Sequence, residues 1–386
     1  MADKTEATSR ILTGIKRWAA MESPSNQPEL VERLATHVAE HLTSIGAACE
    51  RVNLGPGCAR PVVARFNRHL AAEPDGILIL GHLDTVHPAG SIDGPMPIRV
   101  EGNRLFGPGV MDMKGGVYLA VDALERLVRS GQLPARRITV LLNTDEEIGS
   151  PCSRGLIEHE ALQHAFVLVP EPVREGHAVI GRYAFARYEI TTRGTPAHAG
   201  ADNRVGRSAI RAMAGIVERL ESLTDMDRLV SFSVGVIHGG QFVNVVPIEC
   251  TAQVLAVADS TENLHYVQEV MDAVAGWAAD VKVDVKEGPK RPLFLPSDGT
   301  MRLFEQARVI ASGLGIDLKG RVSGGGSDGN FTGALNIPTL DGIGVAGQGP
   351  HTFGECLEID TLADRAALIR SLLLELPTRP RTDKVL

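Results

Sequence analysis

The sequence predicts an α/β protein interrupted by an inserted α+β unit, and three observations carry that prediction. Over residues 6 to 180, short and continuously apolar runs such as "GILILG", "RITVLLN" and "HAFVLVP" alternate with amphipathic patterns such as "PELVERLATHVAEHLTSIG". Strands that are apolar at every position belong to a sheet covered on both faces, the α/β signature. From 183 to 293 the texture changes to alternating strands, and from 294 onward the first texture returns.

In the middle stretch, "YAFARYEITTRG" alternates as a half-exposed strand should, and "RSAIRAMAGIVERLESL" follows as an amphipathic helix. "LVSFSVGVIHGG" and "ECTAQVLAVA" are two more strands, "TENLHYVQEVMDAVAGWAAD" is a helix with Thr261 as its cap, and "VKVDVKEG" is the last strand. The order βαββαβ is a ferredoxin-like, split-βαβ unit with one sheet face toward solvent. The closing stretch supplies the helix "GTMRLFEQARVIASGLG", the strand "IPTLDGIG" and a final helix "DTLADRAALIRSLLLEL". The predicted organisation is a discontinuous α/β domain, 1–182 with 294–386, carrying an inserted domain, 183–293.

Composition narrows the functional classes. A chain of 386 residues with 44% hydrophobic content can bury a sizeable core. The net charge of −8 is spread without a polybasic run, which argues against nucleic acid or an anionic membrane as a main partner. The N-terminus has charges throughout and no continuous apolar core, unlike a signal peptide. No window approaches the roughly 20 apolar residues of a membrane helix. Cys49, Cys58, Cys152, Cys250 and Cys356 are scattered and form no CxxC pair, so reduced thiols in a cytoplasm are expected, without a disulfide scaffold or thiolate zinc site.

Groups able to do chemistry collect at the ends of the apolar runs. "LGHLDTVHPAG" puts His82 and Asp84 two apart at a strand end, so both side chains leave on one side. His82 is then either a hydrogen-bonded core histidine or a metal ligand whose other ring nitrogen Asp84 holds. Asp112 in "FGPGVMDMKGG" precedes an apolar helix and, taken alone, reads as its N-cap. "LLNTDEEIGS" follows a strand with Asp145, Glu146 and Glu147, which a solvated acidic turn would also explain. Glu171 ends another apolar run in "VLVPEPV", at the sheet edge where open α/β folds bind ligands. His351 sits in the glycine-rich "GVAGQGPHTFGECLEID".

Taken together, His82, Asp112, Glu147, Glu171 and His351 offer two imidazoles and three carboxylates, a donor set suited to zinc, cobalt or manganese. Five such groups suffice for two ions if one carboxylate bridges, and paired ions are a recognised hydrolytic arrangement. Glu146, beside a ligand, is placed to accept a proton from an activated water. "SGGGSDGNF" lacks the Lys-Ser/Thr of a phosphate loop and is no dinucleotide fingerprint. It makes a tight turn in which Ser327 or Asp328 caps a short helix.

"GHLDTVHPAG", "GPGVMDMKGG", "NTDEEIGS", "PEP", "AHAG", "GGGSDGNF" and "GPHT" occur in the order found in the dizinc aminoacylase and glutamate carboxypeptidase family of metallopeptidases, which the chain resembles over nearly its whole length. The resemblance implies that His82 and Glu171 bind one zinc, Glu147 and His351 the other, and that Asp112 bridges them. It makes Glu146 the general base and Asp84 the residue orienting His82, and it leaves His87 without a ligand role, as a surface histidine or one supporting the site. It also implies a zinc-peptidase-type catalytic domain, with the inserted domain as a lid and dimerisation module in a homodimer. His198 of "PAHAG" would reach the partner's site to stabilise the oxyanion, with Asn244 of "VNVVP" near the substrate.

The expected activity is cleavage of an amide bond in a small molecule by a dizinc-activated water. Candidate substrates are an N-acyl amino acid, a dipeptide or a folate-like glutamate conjugate. Family members that release amino acids often carry a carboxylate-clamping arginine about ten residues after the proline of "VVP", where this chain has Val257. A non-peptide aryl or xenobiotic amide therefore stands as the alternative, and a non-catalytic metal-binding homologue as another. Arg291 in "KRPLF" is either a second substrate-facing arginine or a solvated loop charge.

Overall fold

A computed structural model describes residues 2–68, 76–173 and 176–377. The chain forms two compact units, Met1–Gly181 with Phe294–Ser323 and Ser327–Leu386, and Arg182–Leu293 with Gly324–Gly326. The first is α/β and the second is the inserted α+β unit.

Among the described residues, the main sheet of the first unit has six strands in the order Ala48–Arg51, Val62–Phe66, Ile138–Asn143, Ile77–His82, Phe166–Leu168 and Thr339–Leu340. The last four run parallel, while the first two are antiparallel to their neighbours. Every residue of Ile77–His82 and Ile138–Asn143 is buried, as continuous apolarity predicts. The period of two sends Ile77 and Ile79 into a core shared with Trp18, Val38 and Leu124, and Leu78 and Leu80 into one shared with Ile157 and Phe331. Each fully buried aliphatic side chain contributes roughly 1.5–3 kcal/mol, so this central strand is held from both faces.

Parallel register positions the chemistry. His82 lies opposite Asn143, and Ile79 opposite Leu168. The carboxyl ends of three strands therefore meet at one edge, and the segments leaving them carry His82 and Asp84, Glu146 and Glu147, and Glu171.

The second unit follows the predicted βαββαβ order. Its antiparallel sheet runs Val230–Gly239, Glu249–Ala258, Ala184–Arg193, Lys282–Arg291. Ala252, Val254, Ala256 and Ala258 point into a core with Met213 and Ile216 of one helix and Val267 and Met271 of the other. Thr261 is not the helix cap. Ser260, in extended backbone, accepts the Asn263 N–H at 3.2 Å, and Thr261 is the first helical residue. That helix stops at Ala273 and passes into a 3₁₀ turn, Val274–Gly276, where glycine disfavours continuation.

The thiol expectation is corrected at one pair: Cys58 and Cys152 form a disulfide with a Cα–Cα distance of 6.4 Å. Antiparallel pairing of Val62 with Leu142 places the segment before one strand beside the segment after the other. Thr144 Oγ1 donates to Ala59 O across the same gap at 2.7 Å. Cysteines 94 residues apart in sequence carry no local spacing signal. Cys49, Cys250 and Cys356 are free. Among the described residues no helix is long and apolar enough to cross a membrane.

Candidate metal centre

The five expected ligands converge at the carboxyl edge of the first unit's sheet. His82 Nε2 lies 3.4 Å from Asp112 Oδ1 and 3.7 Å from Glu171 Oε1. His351 Nε2 lies 3.1 Å from Glu147 Oε2 and 3.3 Å from Asp112 Oδ2. Asp112 thus turns one oxygen toward each histidine. It is not a helix cap: the helix it precedes begins at Lys114, with Met113 at the cap position and no side-chain cap bond. A Cβ at Gly116 of that helix would collide with the carbonyl oxygen of Pro170, so only glycine lets the Asp112 segment lie so close to the strand leading to Glu171.

The donor set fits divalent ions. Ligand atoms of His82, Asp112 and Glu147 lie within 4.8 Å of one another. His82 Nε2 and Glu147 Oε1 are buried with no hydrogen-bond partner among the described residues. Buried polar atoms left unpaired cost roughly 1–3 kcal/mol each, and a cation between them removes that cost. His82 Nδ1 donates to the Asp84 carbonyl at 3.0 Å, which leaves Nε2 as the lone-pair nitrogen facing the cluster.

Electrostatics point the same way. Burial alone would lower the His82 pKa, but the adjoining carboxylates of Asp112 and Asp84 outweigh it, and the pKa rises well above the usual value. Hydrogen bonds to Asp112 and Glu147 push His351 up to about 11. Burial, helped by the Asp112 charge, pushes Glu147 up to about 8. Burial and the Asp112 charge also raise Glu171. Crowded carboxylates that retain protons and imidazoles that gain them show a negative site short of positive charge.

Asp84 does more than face a ring nitrogen. Its Oδ1 is 3.4 Å from His82 Nδ1, farther than its own carbonyl. The carboxylate accepts the backbone N–H of Glu146 at 3.1 Å and of Glu147 at 3.2 Å, and the Ser25 hydroxyl at 2.6 Å. It therefore orients the loop carrying both glutamates, a role invisible in its spacing from His82. Ser25 gave no sequence signal. Asp145, the first acid of the triplet, accepts Cys152 N–H at 2.6 Å and the Ser153 hydroxyl, so it shapes the loop and leaves Glu146, itself buried, beside the cluster. The cap expected in "SGGGSDGNF" does not form: Asp328 holds the cap position of Gly329–Ala334 without a side-chain cap bond, and Ser327, one residue earlier, accepts the Gly329 N–H at 2.9 Å instead.

His198, Asn244 and Arg291 belong to the second unit. His198 is exposed, and its Nδ1 accepts N–H groups from Gly200 at 3.2 Å and Ala201 at 3.1 Å. An accepting Nδ1 puts the proton of the neutral ring on Nε2, which is then a donor. Asn244 is exposed and ties that turn through its carbonyl, which accepts Ala199 N–H at 2.9 Å. Arg291 ends a strand opposite Phe185 and is 3% exposed, which overturns the solvated-loop alternative. Val257 is partly exposed, on the sheet face opposite the buried Ala256 and Ala258.

Comparison with known proteins gives a consistent result. Peptidase family M20/M25/M40 matches residues 78–375. The chain is 29% identical over 311 residues to carboxypeptidase G2 of Pseudomonas sp. (strain RS-16), covering 78% of this chain and 74% of that one. Its fold is similar to that of a tripeptidase from Staphylococcus aureus (TM-score 0.77, 21% identity, 95% of this chain and 98% of the other). It is also similar to a dinuclear metal binding peptidase of the M20 family from Bacillus subtilis (TM-score 0.67, 16% identity, 96% and 99%).

Proposed function

The chain belongs to peptidase family M20/M25/M40, and on that premise we propose that it is a hydrolase using two divalent ions, zinc first, to cleave an amide bond of a small molecule. The observation that carries the proposal is the split carboxylate of Asp112, one oxygen toward His82 and the other toward His351. His82 and Glu171 would hold one ion and Glu147 and His351 the other, with Asp112 shared between the two sets. Ions so held supply Lewis acidity and acidify a water toward a pKa near 7.

The chain's own residues do the rest. Glu146 takes a proton from the attacking water and returns it to the departing nitrogen. Asp84 fixes the Glu146 backbone, so the base stays within reach of the same water through both transfers. His198, with its proton on Nε2, donates to the developing oxyanion in the partner's site of a homodimer. Asn244 and Arg291 contact the substrate. Val257 on the sheet's open face favours a substrate half that is apolar or aromatic over one clamped through a carboxylate.

The test combines metal analysis with a hydrolysis screen on one sample, over N-acyl amino acids, dipeptides, glutamate conjugates and aryl amides. About two ions per chain with turnover of at least one amide supports the reading. A loaded protein inert toward all of them would remove the substrate class and leave the metal site.

A further inference from the structure

His87 matches no ligand position, yet it is 4% exposed and its Nε2 lies 2.6 Å from Glu355 Oε2. Glu355 is 1% exposed, and its other oxygen accepts the backbone N–H of Met111 at 2.8 Å and of Asp112 at 3.0 Å. An ionised carboxylate only accepts, so the His87 Nε2–H donates. One buried carboxylate therefore joins the loop after His82 and Asp84 to the backbone of Asp112.

The third connection runs to His351. That residue has φ 63°, the left-handed region that a residue with a Cβ seldom occupies without support. Its turn is closed by Thr352 N–H to Gly349 O at 3.1 Å and Glu355 N–H to Thr352 O at 3.1 Å, so the Glu355 anchor lies at the turn's end. The far side of the His87 loop is pinned as well: Glu22 accepts N–H groups from Gly90 at 2.7 Å and Ile92 at 3.1 Å. His87 has little room to drift from Glu355.

We propose that His87 and Glu355 are positioning residues that fix the bridging carboxylate of Asp112 against His351 and His82, joining three ligand-bearing segments into one preformed cradle for two ions. The proposal rests on the two-ion reading. A ligand whose backbone is free to shift must be ordered when the ion arrives, and that entropy is subtracted from affinity. Glu355 removes it in advance by holding the peptide on the N-terminal side of Asp112, with the buried ammonium of Lys114 nearby as countercharge. Nothing in the catalytic cycle requires either residue to touch substrate. Their effect should therefore appear in the ions' affinity and geometry even when no substrate is present.

The experiment titrates the metal-free full chain with Co2+, following visible absorption and competition with a chelator, for the natural protein, His87→Ala, His87→Gln and Glu355→Gln. Melting of each metal-free form is measured in parallel. His87→Ala and Glu355→Gln are expected to weaken at least one ion by about 10–100-fold and to alter the cobalt spectrum. His87→Gln, whose amide nitrogen can stand where Nε2 stands, should restore most of both. If His87→Ala binds two ions as tightly as the natural protein, with the same spectrum, the proposal is overturned, whatever happens to its melting temperature. Should His87→Ala not fold, Glu355→Gln decides by the same two readouts. Failure of the natural protein itself to bind two ions would overturn the two-ion reading and this inference together, and that outcome is visible before any variant is made.

Discussion

His351 Nε2 stands 3.3 Å from Asp112 Oδ2, although in sequence the two residues lie on either side of the inserted unit. The other Asp112 oxygen faces His82 Nε2 at 3.4 Å. A helix cap would need only one oxygen, aimed at backbone N–H groups. Removal of this carboxylate should therefore cost both ions and not only a fraction of helix stability. Asp112→Ala is expected to lose tightly bound metal from both positions, measured by elemental analysis after dialysis. Retention of two tightly bound ions would show that Asp112 does not bridge.

A pH prediction can be made away from the cluster. Buried His164 has its pKa pushed down to about 4, first by burial and then by the charges of Arg137 and Arg65. Its Nδ1–H donates to Glu160 O at 2.6 Å, and its Nε2 accepts from the Thr139 hydroxyl at 2.8 Å, so the neutral ring is fully paired. The unfolded chain takes up the proton near the ordinary value of 6.5, before the folded one does. This stability is complete above pH 6.5 and is lost as pH falls through about 4. The loss reaches on the order of 3 kcal/mol. Denaturant unfolding of the natural protein and His164→Gln across this range should give curves of different slope. Parallel curves would remove His164 from the acid response.

Much of the site was legible because metal chemistry restricts residue type and α/β architecture restricts place. His82, Glu147 and Glu171 each stand at or just beyond the end of an apolar strand, and parallel register brings such ends together. His351 and Asp112 needed the family pattern, since a glycine-rich loop and a helix start are bland alone. Glu355 and Ser25 were not legible. Each acts through backbone amides or a single carboxylate from another segment, and such contacts leave no periodicity or motif. Thr261 stands before the apolar pattern as a cap would, but Ser260 has the extended backbone a cap requires. The disulfide was missed for a related reason, since its partners meet only through the pairing of two strands.

That disulfide makes a direct count possible. Of five cysteines, Cys49, Cys250 and Cys356 are free, so thiol titration of the denatured, unreduced protein should find three groups, rising to five after reduction. Closing a loop with a sequence separation of 94 typically stabilises by about 2–4 kcal/mol. Reduction, or Cys152→Ser, should lower the melting temperature accordingly. Five thiols in protein isolated under alkylating conditions would mean that the chain resides in a reducing compartment with the pair open.

His198 carries the prediction that separates one catalytic chain from two. If His198 is the oxyanion donor, its loss should cost about 10²–10³ in kcat. Glu146→Gln, which keeps shape but cannot accept the proton, should be nearly inactive with its metal retained. If each His198 serves the neighbouring subunit, the two defective chains complement. In a mixed dimer one site lacks both groups, while the other combines an intact Glu146 with an intact His198 from its partner. Random reassortment of equal amounts makes half the dimers mixed, each with one good site of two, so about a quarter of the natural activity should return. A chain using its own His198 gives no recovery, because each subunit of the mixed dimer keeps its own defect. The measurement is activity after co-expression of His198→Ala and Glu146→Gln chains, with size-exclusion chromatography to establish the dimer and distinct tags to isolate the mixed species. Verified mixed dimers without regained activity would place His198 in its own subunit's site or outside catalysis altogether.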